Sequence, residues 1–168
     1  SELLDGSGTK ESAIVSYLEV NADTLENGVY GIAVLGAPTN PTALGDFTTV
    51  SYEGNFRGET TSQDGFTNKL NRFELRGDTT LNANFEQNTI SGDITNLTFE
   101  QHSENDDTAE GTIDGSFLLQ EGVITGSGFS GVATTDETLK TFGEIASDDM
   151  EYSGNFYGDA AEEASGIL

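Results

Sequence analysis

The stretch YEGNFRG (residues 52–58) returns one hundred residues later as YSGNFYG (residues 152–158). Alternate residues of an extended chain share a face, so Tyr52, Gly54, Phe56 and Gly58 fall together, as do Tyr152, Gly154, Phe156 and Gly158. Aromatic side chains on that face fill an interior. Glycines between them cost backbone entropy and are kept where a sheet bends sharply or another group packs close. Both words therefore read as corners at matching places around a closed β-sheet.

The same period of two spreads outward. In residues 79–85, Leu81, Ala83 and Phe85 share one face while Thr80, Asn82 and Asn84 share the other, which describes a strand with one wet side. Gln87 and Asn88 separate it from residues 89–94, and asparagine tolerates the left-handed backbone of a tight hairpin. A second hairpin is expected at residues 120–122, joining residues 111–119 to 123–131, with Gly122 supplying the positive φ. Further strands are expected at 13–20, 29–36, 50–58 and 70–77. The predicted fold class is all-β: a single antiparallel up-and-down β-barrel of about eight strands, which hides its edges by closing. A short C-terminal helix is expected over residues 159–166, with Asp159 as its cap, Glu162 as the capping-box partner and Gly166 as its stop. Residues 1–12, small and polar, read as a flexible lead-in, and residues 13–168 as the barrel domain.

Composition narrows the class. The 168 residues fit one domain, and 34% hydrophobic residues with 21 glycines favour many short strands over long helices. Thirty acidic residues against six basic ones give a formal charge of −24. Phosphate-binding proteins gain affinity by replacing condensed cations with Lys and Arg, so nucleic acid is excluded as a partner, and an anionic membrane surface is disfavoured. Cysteine is absent, so the fold rests on its core and its ladders. No apolar run approaches the ~20 residues of a membrane helix, and the outward faces are too polar for the lipid-facing band of a pore. The opening SELLDGSGTKES lacks the regions of a secretory signal, leaving an internal protein or one whose leader has been removed.

GAPT (residues 36–39), YEGNFRG, an RG-x-x-x-L-x-x-x-F pattern (Arg76, Gly77, Leu81, Phe85), ISGDITNL (residues 90–97), GSGFSG (residues 126–131) and YSGNFYGDAAEEASG (residues 152–166) follow one another along the chain. Together these segments resemble the barrel domain of the transferrin-binding protein B family. The last is the most specific: Gly154, Phe156, Gly158, Ala161, Glu163 and Gly166 match the signature G-x-F-x-G-x-x-A-x-E-x-x-G. The resemblance spans residues 28–168. It implies an eight-stranded antiparallel barrel in a family of surface lipoproteins and secreted proteins that capture ligands such as transferrin, lactoferrin and haem carriers. The location it implies is extracellular or the outer-membrane surface.

Candidate chemistry is sparse. One histidine, no cysteine and no nucleophile elbow leave no base with an orienting partner, so an enzyme is not expected. His102 lies in a hydrophilic stretch, residues 101–110, which shows no strand period and reads as a solvated loop. In a haem carrier, His102 or Tyr157 would be the axial ligand. Glu104, Asp106, Asp107 and Glu110 of the same stretch could gather calcium, without the residue order of a dedicated loop. Arg57, Arg72 and Arg76 are expected to point outward, pairing with surplus acids or forming a patch for an acidic partner. The sequence thus reads as a noncatalytic, extracytoplasmic binding barrel related to iron or haem capture, with a protein or a small iron- or haem-containing molecule as partner. The rival reading is a structural protein of a surface layer, appendage or virus-like assembly.

Overall fold

The structure, a computed structural model, describes residues 12–19, 29–63, 70–103, 108–140 and 150–168. The expected lead-in, residues 1–12, lies almost wholly outside these. Two strands, β1 (Ser12–Glu19) and β2 (Val29–Gly36), pair with each other in an antiparallel ribbon of their own. The remaining strands form one antiparallel sheet: β3 (Thr49–Gln63), β4 (Leu70–Asn84), β5 (Thr89–Ser103), β6 (Thr108–Thr112), β7 (Phe117–Thr125), β8 (Gly128–Thr135), β9 (Met150–Tyr157) and β10 (Glu163–Ile167). Seven follow one another in the order β10-β9-β8-β7-β5-β4-β3, and β6 pairs with the far end of β5.

The sheet curls so that its two end strands approach each other across a seam lined by Ser51, Tyr52 and Glu53 on one side and Glu163, Ala164 and Ser165 on the other. Among the described residues no strand pairing joins β3 to β10, so the barrel is nearly closed. Tyr52 of β3 spans the seam: its hydroxyl donates to the carbonyl oxygen of Ala161, 2.9 Å away, and its ring lies 5.7 Å from that of Phe156. Inward side chains form two apolar clusters. One gathers Leu44, Leu81, Ile90, Leu119, Phe129, Tyr152 and Phe156, with Tyr52 packed against it. The other holds Leu75, Ile94, Leu97, Ile113, Phe117 and Leu139, with Phe56 packed against it. Tyr52 and Phe56 of the first word and Tyr152 and Phe156 of the second therefore line the interior, and Phe156 is fully buried.

The glycines of the two words differ. A β-carbon on Gly154 would lie 2.4 Å from the ring of Phe129, the residue opposite it on β8, whereas one on Gly54 would meet nothing within 4 Å. Gly131 likewise lies under the ring of Tyr152, and Gly111 under that of Phe99, each directly across the ladder. Aromatic rings covering cross-strand glycines let this sheet bend without leaving holes.

Three expectations need correction. The turn expected at residues 120–122 is a bulge: β7 runs straight through, with its register shifting between Leu119 and Val123, and the chain turns instead at Gly126, whose φ is 61°. Gly122 is required there for space, because a β-carbon would lie 2.5 Å from the Tyr152 hydroxyl. Residues 70–77 and 79–85, read as separate strands, belong to one strand, whose ladder with β3 continues through Gly77 while its register with β5 shifts there, and only Phe85 falls in the following turn. No helix forms over residues 159–166; a turn holding Ala161 at φ 54° leads into β10, which pairs with β9. Glu162 accepts the N–H of Ala160 and not that of Asp159, the expected cap, and so closes a turn instead of capping a helix. One and a half helical turns offer too little to outweigh five residues of ladder. The four-residue helix α1 (Glu137–Lys140) lies elsewhere and buries Leu139 in the second cluster.

Candidate functional site

The outer face of β3 to β6 carries the densest set of charges among the described residues, and strand register builds it. Leu75 faces inward, so Arg72, Glu74 and Arg76 face out. The ladder places Glu59 opposite Glu74, Glu74 opposite Glu100, and Glu100 opposite Glu110. Four carboxylates thus stand in one row across four strands. One flanking row runs from Arg57 through Arg76 to Thr98, and the other brings Arg72 opposite His102.

Like charges directly opposed on a sheet repel, so the basic rows matter to the fold. Arg72 bridges two members of the acidic row, 2.6 Å from Glu59 and 3.2 Å from Glu74. Arg76 stands further off, 3.7 Å from Glu74 and 4.0 Å from Glu100. His102 Nε2 lies 3.8 Å from Glu74 and 3.6 Å from Glu100. All are substantially exposed, so each arginine–carboxylate pair contributes roughly a few tenths of a kcal/mol. A shallow groove of about 440 Å³ lies along the patch, lined by Glu74, Arg76, Thr98, Phe99, Glu100, Glu110 and Gly111.

The structure brings together four of the residues singled out in sequence, His102, Arg72, Arg76 and Glu110, with Arg57 on the adjoining strand. His102 is not in a loop. It lies within β5, paired with Arg72 on one side and Thr108 of β6 on the other. Glu104, Asp106 and Asp107 fall outside the described residues. Tyr157 is buried at the other end of the sheet path, on β9, where Pro38 bridges to it. Glu59 and Glu100 escaped the sequence reading. Glu100 stands two residues before His102, a spacing that becomes informative once the strand is known to extend that far.

Groups moved from their ordinary pKa are tied to structural hydrogen bonds. Burial, reinforced by Glu162, pushes the Tyr52 hydroxyl up to about 12. Burial and then Glu121 raise Tyr152. The N–H of Leu139, with further donors from Ser116, holds the Asp136 carboxyl below the usual carboxylate range. None of the three belongs to the charged patch.

A filled antiparallel barrel with its chemistry on the outside of the sheet defines a class of small β-barrels. Residues 44–168 match the family described as the C-lobe and N-lobe beta barrels of Tf-binding protein B, and the chain belongs to that family. None of the curated proteins compared with the chain matches it significantly. Among the described residues no helix is long and apolar enough to cross a membrane.

Proposed function

We propose that this chain is a noncatalytic binding barrel that works outside the cytoplasm, at the cell surface or after secretion, in the capture of an iron- or haem-carrying protein. Residues 13–168 serve as one domain in this reading. The observation that carries it is the filled interior. Phe156, Ile90 and Leu97 are each no more than 1% exposed, so little room is left for a molecule inside and recognition falls to the outer surface. Membership of the transferrin-binding protein B barrel family supports a protein partner. The ordered charges of β3 to β6 supply groups that steer encounter and fix register with a partner of complementary charge.

The test is binding of immobilised chain to iron-loaded and iron-free carrier proteins, and to haemin alone, by surface plasmon resonance. Saturable binding to a carrier, weakened at least about tenfold when Arg57, Arg72 and Arg76 are all changed to Glu, is the expected result. Binding to haemin alone, or to no carrier, removes the reading. The exposed Leu118, Val123 and Val132 of β7 and β8 favour a second reading, an apolar contact face within a larger assembly. Sedimentation of the native protein with a large particle supports that alternative.

A further inference from the structure

Glu74, Glu100 and His102 stand apart from the rest of the charged patch. Each offers a ligand atom, and these atoms all lie within 4.8 Å of one another. They are held by adjoining rungs of two long paired strands, a more rigid support than a loop gives. The histidine nitrogen lies 3.8 Å from a Glu74 oxygen and 3.6 Å from a Glu100 oxygen, too far for good hydrogen bonds. Two ligands of a tetrahedral ion with bonds of about 2.1 Å sit about 3.4 Å apart. The two histidine–carboxylate spacings come within a few tenths of an ångström of that separation, and the two carboxylates, whose ligand atoms lie within 4.8 Å of each other, close on the ion by rotation of their side chains. Among the described residues the arginine nitrogen that faces Glu100 is on Arg76, at 4.0 Å, so Glu100 is less well neutralised than Glu74, which Arg72 reaches at 3.2 Å.

We propose that Glu74, Glu100 and His102 bind one divalent transition ion of the zinc type. An imidazole nitrogen beside two carboxylates selects a borderline ion over calcium or magnesium, which prefer oxygen alone. Arg72, on the same Glu74 oxygen that faces His102, serves as an outer partner that orients this ligand. Three protein ligands on an exposed face leave a further coordination position open to water or to a side chain of another molecule. The site does not depend on which partner the barrel meets.

The experiment is isothermal titration of the full chain with zinc chloride, and separately with calcium chloride, at moderate salt. One tight equivalent of zinc is expected, with calcium binding far more weakly. His102→Ala and Glu100→Gln should each weaken zinc binding at least about tenfold. Glu110→Gln removes the same charge from the same row without removing a ligand, and should leave affinity within about twofold. Thermal melts of the unloaded variants confirm that each is folded. Equal binding of zinc and calcium overturns the proposal, as does indifference to His102→Ala. A loss in Glu110→Gln as large as that in Glu100→Gln also overturns it, since the acidic field alone would then hold the ion.

Discussion

The hydroxyl of Tyr152 on β9 reaches the carbonyl oxygen of Gln120, 2.7 Å away in the bulge of β7, and lies 3.2 Å from the carbonyl oxygen of Ile90 on β5. One side chain thus supplies a donor where the extra residue of the bulge interrupts the ladder. Changing Tyr152 to Phe keeps the ring over Gly131 and removes the donor. The expected loss is about 1–2 kcal/mol of stability, the cost of leaving a partly buried carbonyl unpaired. Urea unfolding measures it, and an unchanged midpoint would show that water satisfies the bulge equally well.

Glycines that look alike in sequence are expected to behave differently. Gly131→Ala forces a β-carbon to within 2.5 Å of the Tyr152 ring, so it should cost about 1–3 kcal/mol through overpacking. Gly54→Ala meets nothing within 4 Å and removes only freedom of the unfolded chain. It should be neutral or stabilise by up to about 1 kcal/mol. Chemical denaturation of the two variants side by side checks the order, and equal losses would contradict the close packing of Tyr152 on β8.

The same bulges explain what the sequence left hidden. Alternation identified residues 79–85 and 89–94 because there the inward and outward faces stay in phase. At Asn96, held at φ 53° with its side-chain amide donating to Asp78, β5 gains a residue and the phase slips. Ile90, Gly92 and Ile94 point inward before it, Leu97 and Phe99 after it. A reader following a period of two loses the strand there, and so places His102 in a loop. Residues 120–122 mislead in the same way, since a phase slip around a glycine has the same composition as a turn. The interior lining was legible because aromatic and aliphatic residues mark it directly. The row of Glu59, Glu74, Glu100 and Glu110 was not, because it exists only once the register of four strands is known.

Asp136 links the residue before β7 to the short helix α1. One carboxylate oxygen accepts the N–H of Leu139 at 2.8 Å, and the other accepts the N–H of Ser116 at 2.8 Å. The pair of bonds pins α1 so that Leu139, fully buried, completes the second core cluster. Asp136→Ala should cost about 1 kcal/mol, as loss of a helix cap does. Because its carboxyl titrates below the ordinary value, its contribution is present above that value and fades as pH falls through the acid range. Thermal melts across that range should therefore converge for wild type and variant on acidification. Melting points separated by the same amount at every pH would refute the linkage.

The seam between β3 and β10 makes the alkaline counterpart. Tyr52 donates to Ala161 only while its hydroxyl keeps its proton, and folding raises its pKa from 10.0 to about 12. A group that holds its proton more tightly when folded contributes fully below the unfolded value and loses that contribution as pH rises through the folded one. Stability should therefore drop between about pH 10 and about pH 12 more steeply in the wild type than in Tyr52→Phe, which has no proton to lose there. Urea midpoints taken through this window, with tyrosinate absorbance followed in parallel, provide the measurement. Parallel curves for the two proteins would mean that the end strands hold together without the hydroxyl, and that ring contact with Phe156 alone draws the barrel toward closure.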